Sequence, residues 1–377
     1  MLLLFVCCAS AQLALPYKVA GGYLVAEVQL ETSRAAVLLD SGSSYLAVIS
    51  TQCKSDGCRN RDPVDLSHAS AWSCNSSRLC VHPCGRQNSC LVRQMYGGGQ
   101  GFEAREVANV SAIVGTGKVL GDVGAIANMT VPDGLDSIFP PGVSGVWGIA
   151  PTAGTDFPPT LLERWLRQLD PPPACTQLIL ATALDASQGQ LSLGPCTHLD
   201  PNVLVPFLAG GQQAFTLPLA SVTFSGKVLD IGISNSSTVG ALLDSGAPAI
   251  FLPGTAMKEI RIALDSLCVP SAPKLGFLCD NATSFFENAC LPFDDNVLSF
   301  LPPLVLSFAG QQAQMIDVEV PSASYMLPCG EPGGMRMFAL SSSIRALVGT
   351  PAFLGRQVSF VQSDGVIIPS SAIFEPV

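Results

Sequence analysis

The amino-acid sequence predicts a mainly β protein built as two similar lobes about a pseudo-two-fold axis. Three observations carry that expectation. First, the apolar run Ala35-Ala36-Val37-Leu38-Leu39 stops at Asp40-Ser41-Gly42, and Gly240-Ala241-Leu242-Leu243 stops in the same way at Asp244-Ser245-Gly246. Second, the two copies lie about half a chain apart in 377 residues. That is too long for a solenoid period and suits two lobes of ordinary domain size. Third, charged residues make up only 13%, while 35 Gly and 29 Pro punctuate the chain, so few long helices are expected.

Taken in order, residues 1–11 read as a short secretory signal peptide, with Leu2-Leu3-Leu4-Phe5-Val6-Cys7-Cys8 ahead of the small Ala9-Ser10-Ala11 and no basic n-region. A first lobe over 12–200 and a second over 201–377 follow, with the turn-rich stretch 194–206 between them. Residues 21–30 alternate as a strand, and 35–39 form a second strand that enters Asp40 after a hairpin through Thr32-Ser33-Arg34. Residues 51–93 make a loop-rich insert holding Cys53, Cys58, Cys74, Cys80, Cys84 and Cys90. His68 and His82 lie nearby, yet the paired C-x2-C spacing of a zinc site is missing, so three disulfides of open connectivity are expected.

Residues 94–102 place Gly97, Gly98, Gly99 and Gly101 behind Tyr96, a hairpin tip that becomes a lid if it stands beside a catalytic pair. No Gly-Lys-Ser/Thr follows to make it a phosphate loop. Residues 107–129 read as short strands broken by glycine, and 143–151 as a buried strand. Residues 160–169 read as a helix, from the spacing of Leu161, Leu162, Trp165, Leu166 and Leu169. Cys175 and Cys196 bracket strands at 178–181 and 190–193. The second half repeats the plan: strands at 215–219 and 228–233, the run into Asp244, and a helix over 255–267 with Met257, Ile260, Leu264 and Leu267 on one face. Further strands are expected at 304–308, 315–320, 358–361 and 365–368.

A net charge of −10 argues against nucleic acid, whose phosphates need Lys and Arg, and is compatible with work in acid. No later apolar run reaches the roughly 20 residues that span a bilayer, so no stable membrane anchor is expected, and a monomer is the default. Of 14 cysteines, removing Cys7 and Cys8 with the leader leaves an even number, which favours disulfides and an oxidising compartment. Asn75, Asn109, Asn128, Asn235 and Asn281 each open an Asn-x-Ser/Thr sequon.

The chemistry lies in the pair of aspartates. Two carboxyls brought together cannot both ionise, so they hold one proton between them. The ionised member draws a proton from water and the protonated one donates to a carbonyl, which hydrolyses an amide without a metal or a covalent intermediate. Gly42 and Gly246 let backbone N–H groups approach the carboxylates. The hydroxyls of Ser41 and Ser245 suit hydrogen bonds across the lobe interface. Ser43 and Ala247 follow as further neighbours of the pair.

Asp40-Ser-Gly-Ser-Ser, Asp244-Ser-Gly-Ala, Tyr96-Gly, Val146-Trp-Gly-Ile-Ala and Val348-Gly-Thr-Pro-Ala-Phe-Leu resemble, in order, the landmarks of pepsin-like aspartic proteases. The cysteine-rich insert is similar to that of the nepenthesin branch. The resemblance implies a bilobal β fold with a peptide-binding cleft, catalytic Asp40 and Asp244, and Tyr96 on a flap over the substrate. It implies no cofactor and no metal, a peptide or protein substrate, and a secreted or lumenal setting. It also pairs Cys290 with Cys329, and then Cys268 with Cys279 and Cys175 with Cys196. The chain departs from the family at Ala247, where a Thr or Ser hydroxyl usually bonds the outer carboxylate oxygen. It departs again at Ala47, where many members carry a tryptophan supporting the flap tyrosine, and at Gly98. A catalytically silent binding protein of the same fold, like the plant xylanase inhibitors, is the alternative, but the two intact Asp-Ser-Gly triplets favour an enzyme. Serine hydrolases and zinc peptidases lack their motifs here, and the only histidines, His68, His82 and His198, read as surface residues.

Overall fold

A computed structural model describes residues 13–59, 61–71, 90–95, 100–115, 117–131, 138–150, 160–166, 175–183, 188–196, 203–208, 215–233, 237–268, 279, 286–287, 289–311, 314–329, 334–363 and 371–377. The fold is mainly β, as expected. Among the described residues the strands assemble into sheets of fourteen, eight and three strands. The largest begins with Val205–Pro206, Ser371–Pro376, Arg356–Ser363, Cys175–Thr182 and Gly189–Pro195. It continues through Leu13–Ala20, Tyr23–Leu30 and Ser33–Asp40 to Gly145–Gly148, Leu46–Ile49, Gly117–Thr130, Gly101–Val114 and Ser70–Ala71. Strands from both halves of the sequence therefore share one hydrogen-bonded ladder.

Around each Asp-Ser-Gly triplet the same four-strand arrangement occurs. Ser33–Asp40 runs parallel to Gly145–Gly148, which runs antiparallel to Leu46–Ile49, which in turn runs parallel to Gly117–Thr130. In the eight-stranded sheet, Val239–Leu243 runs parallel to Ala346–Val348, then Ile250–Leu252 follows antiparallel, and Leu340–Ser342 parallel to that. Order and sense match at every step. In both, a strand from much later in the chain is inserted between the aspartate's strand and the strand that follows its loop. Such central strands are covered on both faces and read as continuous apolar runs. Leu39, Val146 and Trp147 are accordingly buried in the first set, and Leu243 and Val348 in the second.

Three expectations need correction. The strand expected over 228–233 is only the pair Lys227–Val228, and residues 229–233 are not in a strand. Residues 107–129 are not short strands broken by glycine: Gly101–Val114 and Gly117–Thr130 form one hairpin of two 14-residue strands. The glycines inside it mark close approach. A Cβ on Gly121 would stand 2.5 Å from Leu161 Cδ1, and one on Gly124 would stand 2.5 Å from Tyr45 Cε1. The first hairpin turns earlier than expected, at Glu31-Thr32, so Ser33 and Arg34 already pair with Leu30 and Gln29. Glu31 takes the left-handed conformation, φ 52°, that makes this tight turn possible.

The first helix is seen over Leu161–Leu166 and is opened by a reciprocal cap. The Glu163 N–H donates to Thr160 Oγ1 at 3.0 Å, and the Thr160 N–H donates to Glu163 Oε2 at 2.6 Å. The rest of the expected 160–169 helix lies outside the described residues. The second helix, Gly254–Asp265, buries Ala256, Ile260 and Leu264 against the core, with Met257 and Leu267 partly buried beside it.

Disulfides join Cys53 to Cys58, Cys268 to Cys279 and Cys290 to Cys329, the last two as the resemblance implied. Cys90 and Cys196 are disulfide-bonded as well. Cys74, Cys80 and Cys84, the side chain of Cys175, the leader 1–11, and His82 and His198 lie outside the described set. His68 is a surface residue, 82% exposed in its side chain. No helix among the described residues is long and apolar enough to cross a membrane.

Candidate active site

Each aspartate is delivered by the end of a buried strand and then held by its own loop. Leu39 and Leu243 are fully buried. The chain then turns at Ser41-Gly42 and at Ser245-Gly246, and each carboxylate folds back onto the new turn. The Gly42 N–H donates to Asp40 Oδ1 at 2.8 Å, and the Gly246 N–H donates to Asp244 Oδ1 at 2.9 Å. This is the local side-chain-to-backbone bond that aspartate makes in turns. It compensates part of the cost of placing a carboxylate at the end of an apolar strand.

The two turns are also bonded to each other, reciprocally. The Ser41 N–H donates to Ser245 Oγ at 3.0 Å, and the Ser245 N–H donates to Ser41 Oγ at 2.8 Å. Each hydroxyl then donates across to the other strand: Ser41 Oγ to the Leu243 carbonyl at 2.9 Å, and Ser245 Oγ to the Leu39 carbonyl at 2.7 Å. Both serines are completely buried. Four bonds thus join the triplets about a local two-fold, and each hydroxyl is used as donor and acceptor.

The glycines complete the approach. A Cβ on Gly42 would stand 2.7 Å from Asp244 Cγ, and a Cβ on Gly246 would stand 2.7 Å from Asp40 Cγ. Each carboxyl therefore lies directly against the other triplet's glycine. Close approach recurs in the same symmetric way where each inserted strand ends. A Cβ on Gly148 would meet the Tyr45 nitrogen at 2.3 Å, and one on Gly349 would meet the Ala249 carbonyl at 2.1 Å.

Asp40 is 5% exposed, and Asp244 keeps a somewhat larger solvent-facing edge. Desolvation first, and then the charge of the neighbouring Asp40, push the Asp244 carboxyl well above the usual carboxylate range, against the opposing pull of the Gly246 and Ala247 N–H groups. The Asp244 carboxyl therefore keeps its proton at pH values where isolated aspartates are ionised.

The symmetry fails at one position. Ser43 donates its hydroxyl to Asp40 Oδ2 at 2.5 Å. On the other side Ala247 offers Asp244 only a backbone N–H. Among the described residues, Asp40 thus has a side-chain hydroxyl donor and Asp244 is given none by the equivalent position.

Of the residues singled out from the sequence, Asp40, Asp244, Ser41, Ser245, Gly42, Gly246, Ser43 and Ala247 come together here. Tyr96 lies outside the described residues, but the stem of its hairpin is present, with Met95 paired to Gly101 and Gln94 to Phe102. Cys53 and Cys58 are bonded to each other, which removes both as thiolate ligands. Sequence reasoning missed Tyr23. Its phenol is pushed up by burial and by the nearby charge of Asp244. The turn before it rests on the second triplet's loop, where a Cβ on Gly22 would stand 3.0 Å from Pro248 Cβ. Gly22 has φ 83°, so the Gly21-Gly22 pair was the available signal.

No protein-family model matches this chain, and no curated protein matches it significantly.

Proposed function

We propose that the chain is an aspartic endopeptidase that hydrolyses peptide bonds with a water activated between Asp40 and Asp244. The observation that carries this reading is the reciprocal bonding of the two Asp-Ser-Gly triplets, which brings each carboxyl against the other triplet's glycine. Such a pair holds one proton on two sites. The ionised site removes a proton from water as the water attacks the peptide carbonyl, while the protonated site donates to the carbonyl oxygen. Collapse of the tetrahedral intermediate returns a proton to the leaving nitrogen and restores the starting state. The pair titrates as a unit, so neither aspartate owns the proton permanently.

The same reading takes the architecture as pepsin-like and bilobal, with lobes over 12–200 and 201–377. The repeated four-strand order around each aspartate supports it. Tyr96 is assigned to a flap closing over bound peptide, and the paired stem at Met95 and Gly101 supports that placement. The disulfides support an oxidising, secreted or lumenal setting.

The test is hydrolysis of a denatured protein substrate across pH 3 to 7, with and without a hydroxyl-bearing peptide mimic of the tetrahedral intermediate. Asp40→Asn and Asp244→Asn are each expected to abolish turnover. Cleavage that survives in either variant refutes the shared-proton mechanism. A folded wild type that cleaves nothing but binds a partner protein replaces the enzyme with a binding protein of the same fold.

A further inference from the structure

We propose that Asn109 and Asn128 are acceptors for N-linked oligosaccharides, two modification sites placed at the two register breaks of the long hairpin. Asn109-Val110-Ser111 and Asn128-Met129-Thr130 both fit Asn-x-Ser/Thr. The ladder between Gly101–Val114 and Gly117–Thr130 is regular except between Glu103 and Ala104 and between Val107 and Val110. Asn128 pairs with Glu103 at the edge of the first break, and Asn109 lies inside the second. A bulge leaves a residue out of the pairing and disrupts the ladder locally, so side chains there are re-aimed.

The period of two along a strand places the first and third residues of each sequon on one face. Here that face is the outer one. Val110 and Met129, the middle residues, are buried, whereas Asn109, Asn128 and Thr130 are exposed and Ser111 is half-buried. Both asparagines are exposed, and the hydroxyl residue of each sequon follows two positions along the same strand.

Local backbone preference does not account for this pattern. Asn109 has φ 56°, a conformation asparagine tolerates better than most residues, but that gives no reason for a hydroxyl two positions on. Asn128 stands in strand backbone, where asparagine is disfavoured. The surroundings fit a carbohydrate: Leu120, which pairs with Ser111, is 52% exposed, and a glycan on Asn109 would shield it. Near Asn128 the outer face carries the Arg93–Glu103 ion pair.

The donor is an oligosaccharide carried on a polyprenyl diphosphate. The asparagine amide nitrogen forms the bond to the anomeric carbon and loses a proton. The bond from that carbon to the diphosphate breaks, the lipid diphosphate leaves, and nothing is oxidised or reduced. This inference is independent of the peptidase reading.

To test it, the full chain is expressed in a eukaryotic secretory host and treated with a glycan-releasing amidase in heavy-oxygen water. Peptide masses then report each asparagine converted to labelled aspartate. Labelling at residues 109 and 128 is expected. Asn109→Gln and Asn128→Gln should each remove the mass of one glycan, and Ser111→Ala and Thr130→Ala should remove the same masses with the asparagines kept. A secreted chain with both peptides unlabelled overturns the proposal, as does a chain retained unmodified in the cytosol. Labelling at only one position overturns it for the other.

Discussion

Replacing Gly42 or Gly246 by alanine tests the geometry most sharply, because the smallest possible side chain is aimed at the opposite carboxyl. A Cβ on Gly42 would stand 2.7 Å from Asp244 Cγ, with the two carboxylate oxygens at 2.8 and 2.9 Å. Non-bonded carbons settle at about 3.5–4.0 Å, so about 1 Å of separation has to be found. The turn itself has little freedom: Gly42 is tied to Asp40, and Ser41 is tied to Ser245 and Leu243. The carboxyl is therefore the group that moves. Misplacing a reacting group by about 1 Å costs about 100-fold in rate, or about 2.7 kcal/mol of transition-state stabilisation. Overpacking should lower stability by a further 1–3 kcal/mol, roughly. The contact on Gly246 is equally short, 2.7 Å to Asp40 Cγ, so both variants should suffer alike. The assay is initial-rate hydrolysis of a denatured protein at acidic pH, with near-ultraviolet circular dichroism confirming the fold. A correctly folded Gly42→Ala or Gly246→Ala variant within about threefold of wild type would refute the argument that close approach of the carboxyls carries the activity.

Other consequences follow from the same site. Ser41→Ala strands the Leu243 carbonyl and the Ser245 N–H, and Ser245→Ala strands the Leu39 carbonyl and the Ser41 N–H. Each buried group left unpaired costs about 1–3 kcal/mol, so urea melts should show a clear loss in both variants, and unchanged midpoints would contradict the bonding described. The raised Asp244 carboxyl also sets a pH dependence. Folding favours its protonated form, so its contribution to stability is full below the ordinary value of 3.8 and is lost as pH rises through the folded-state value. The melting temperature of Asp244→Asn should therefore gain on wild type as pH rises from 3 to 7. A difference that stays level or shrinks would reverse the assigned sign.

The aspartate pair was legible in the sequence because an apolar run ending in Asp-Ser-Gly is costly to bury unless the carboxylate is put to use, and the chain does it twice. The cross-bonds of Ser41 and Ser245 were legible for a related reason: a small hydroxyl beside each aspartate has few other partners at a buried interface. Gly121 and Gly124 misled, because glycine signals both a break in a strand and the close approach of another group. Which reading applies depends on Leu161 and Tyr45, whose positions no local pattern encodes. The pairing of Cys175–Thr182 with Arg356–Ser363 was hidden for the same reason, since register between distant strands is settled by packing. The proximity of Tyr23 to Asp244 likewise arises only when the turn at Gly22 is folded onto Pro248.

That late pairing shapes how the protein must be made. Arg356–Ser363 is clasped between Cys175–Thr182 and Ser371–Pro376, so the great sheet cannot be finished until strands about 180 residues apart in the chain have met. Until Arg356–Ser363 docks, the Cys175–Thr182 edge lacks that neighbour, and an open strand edge is a template for wrong partners.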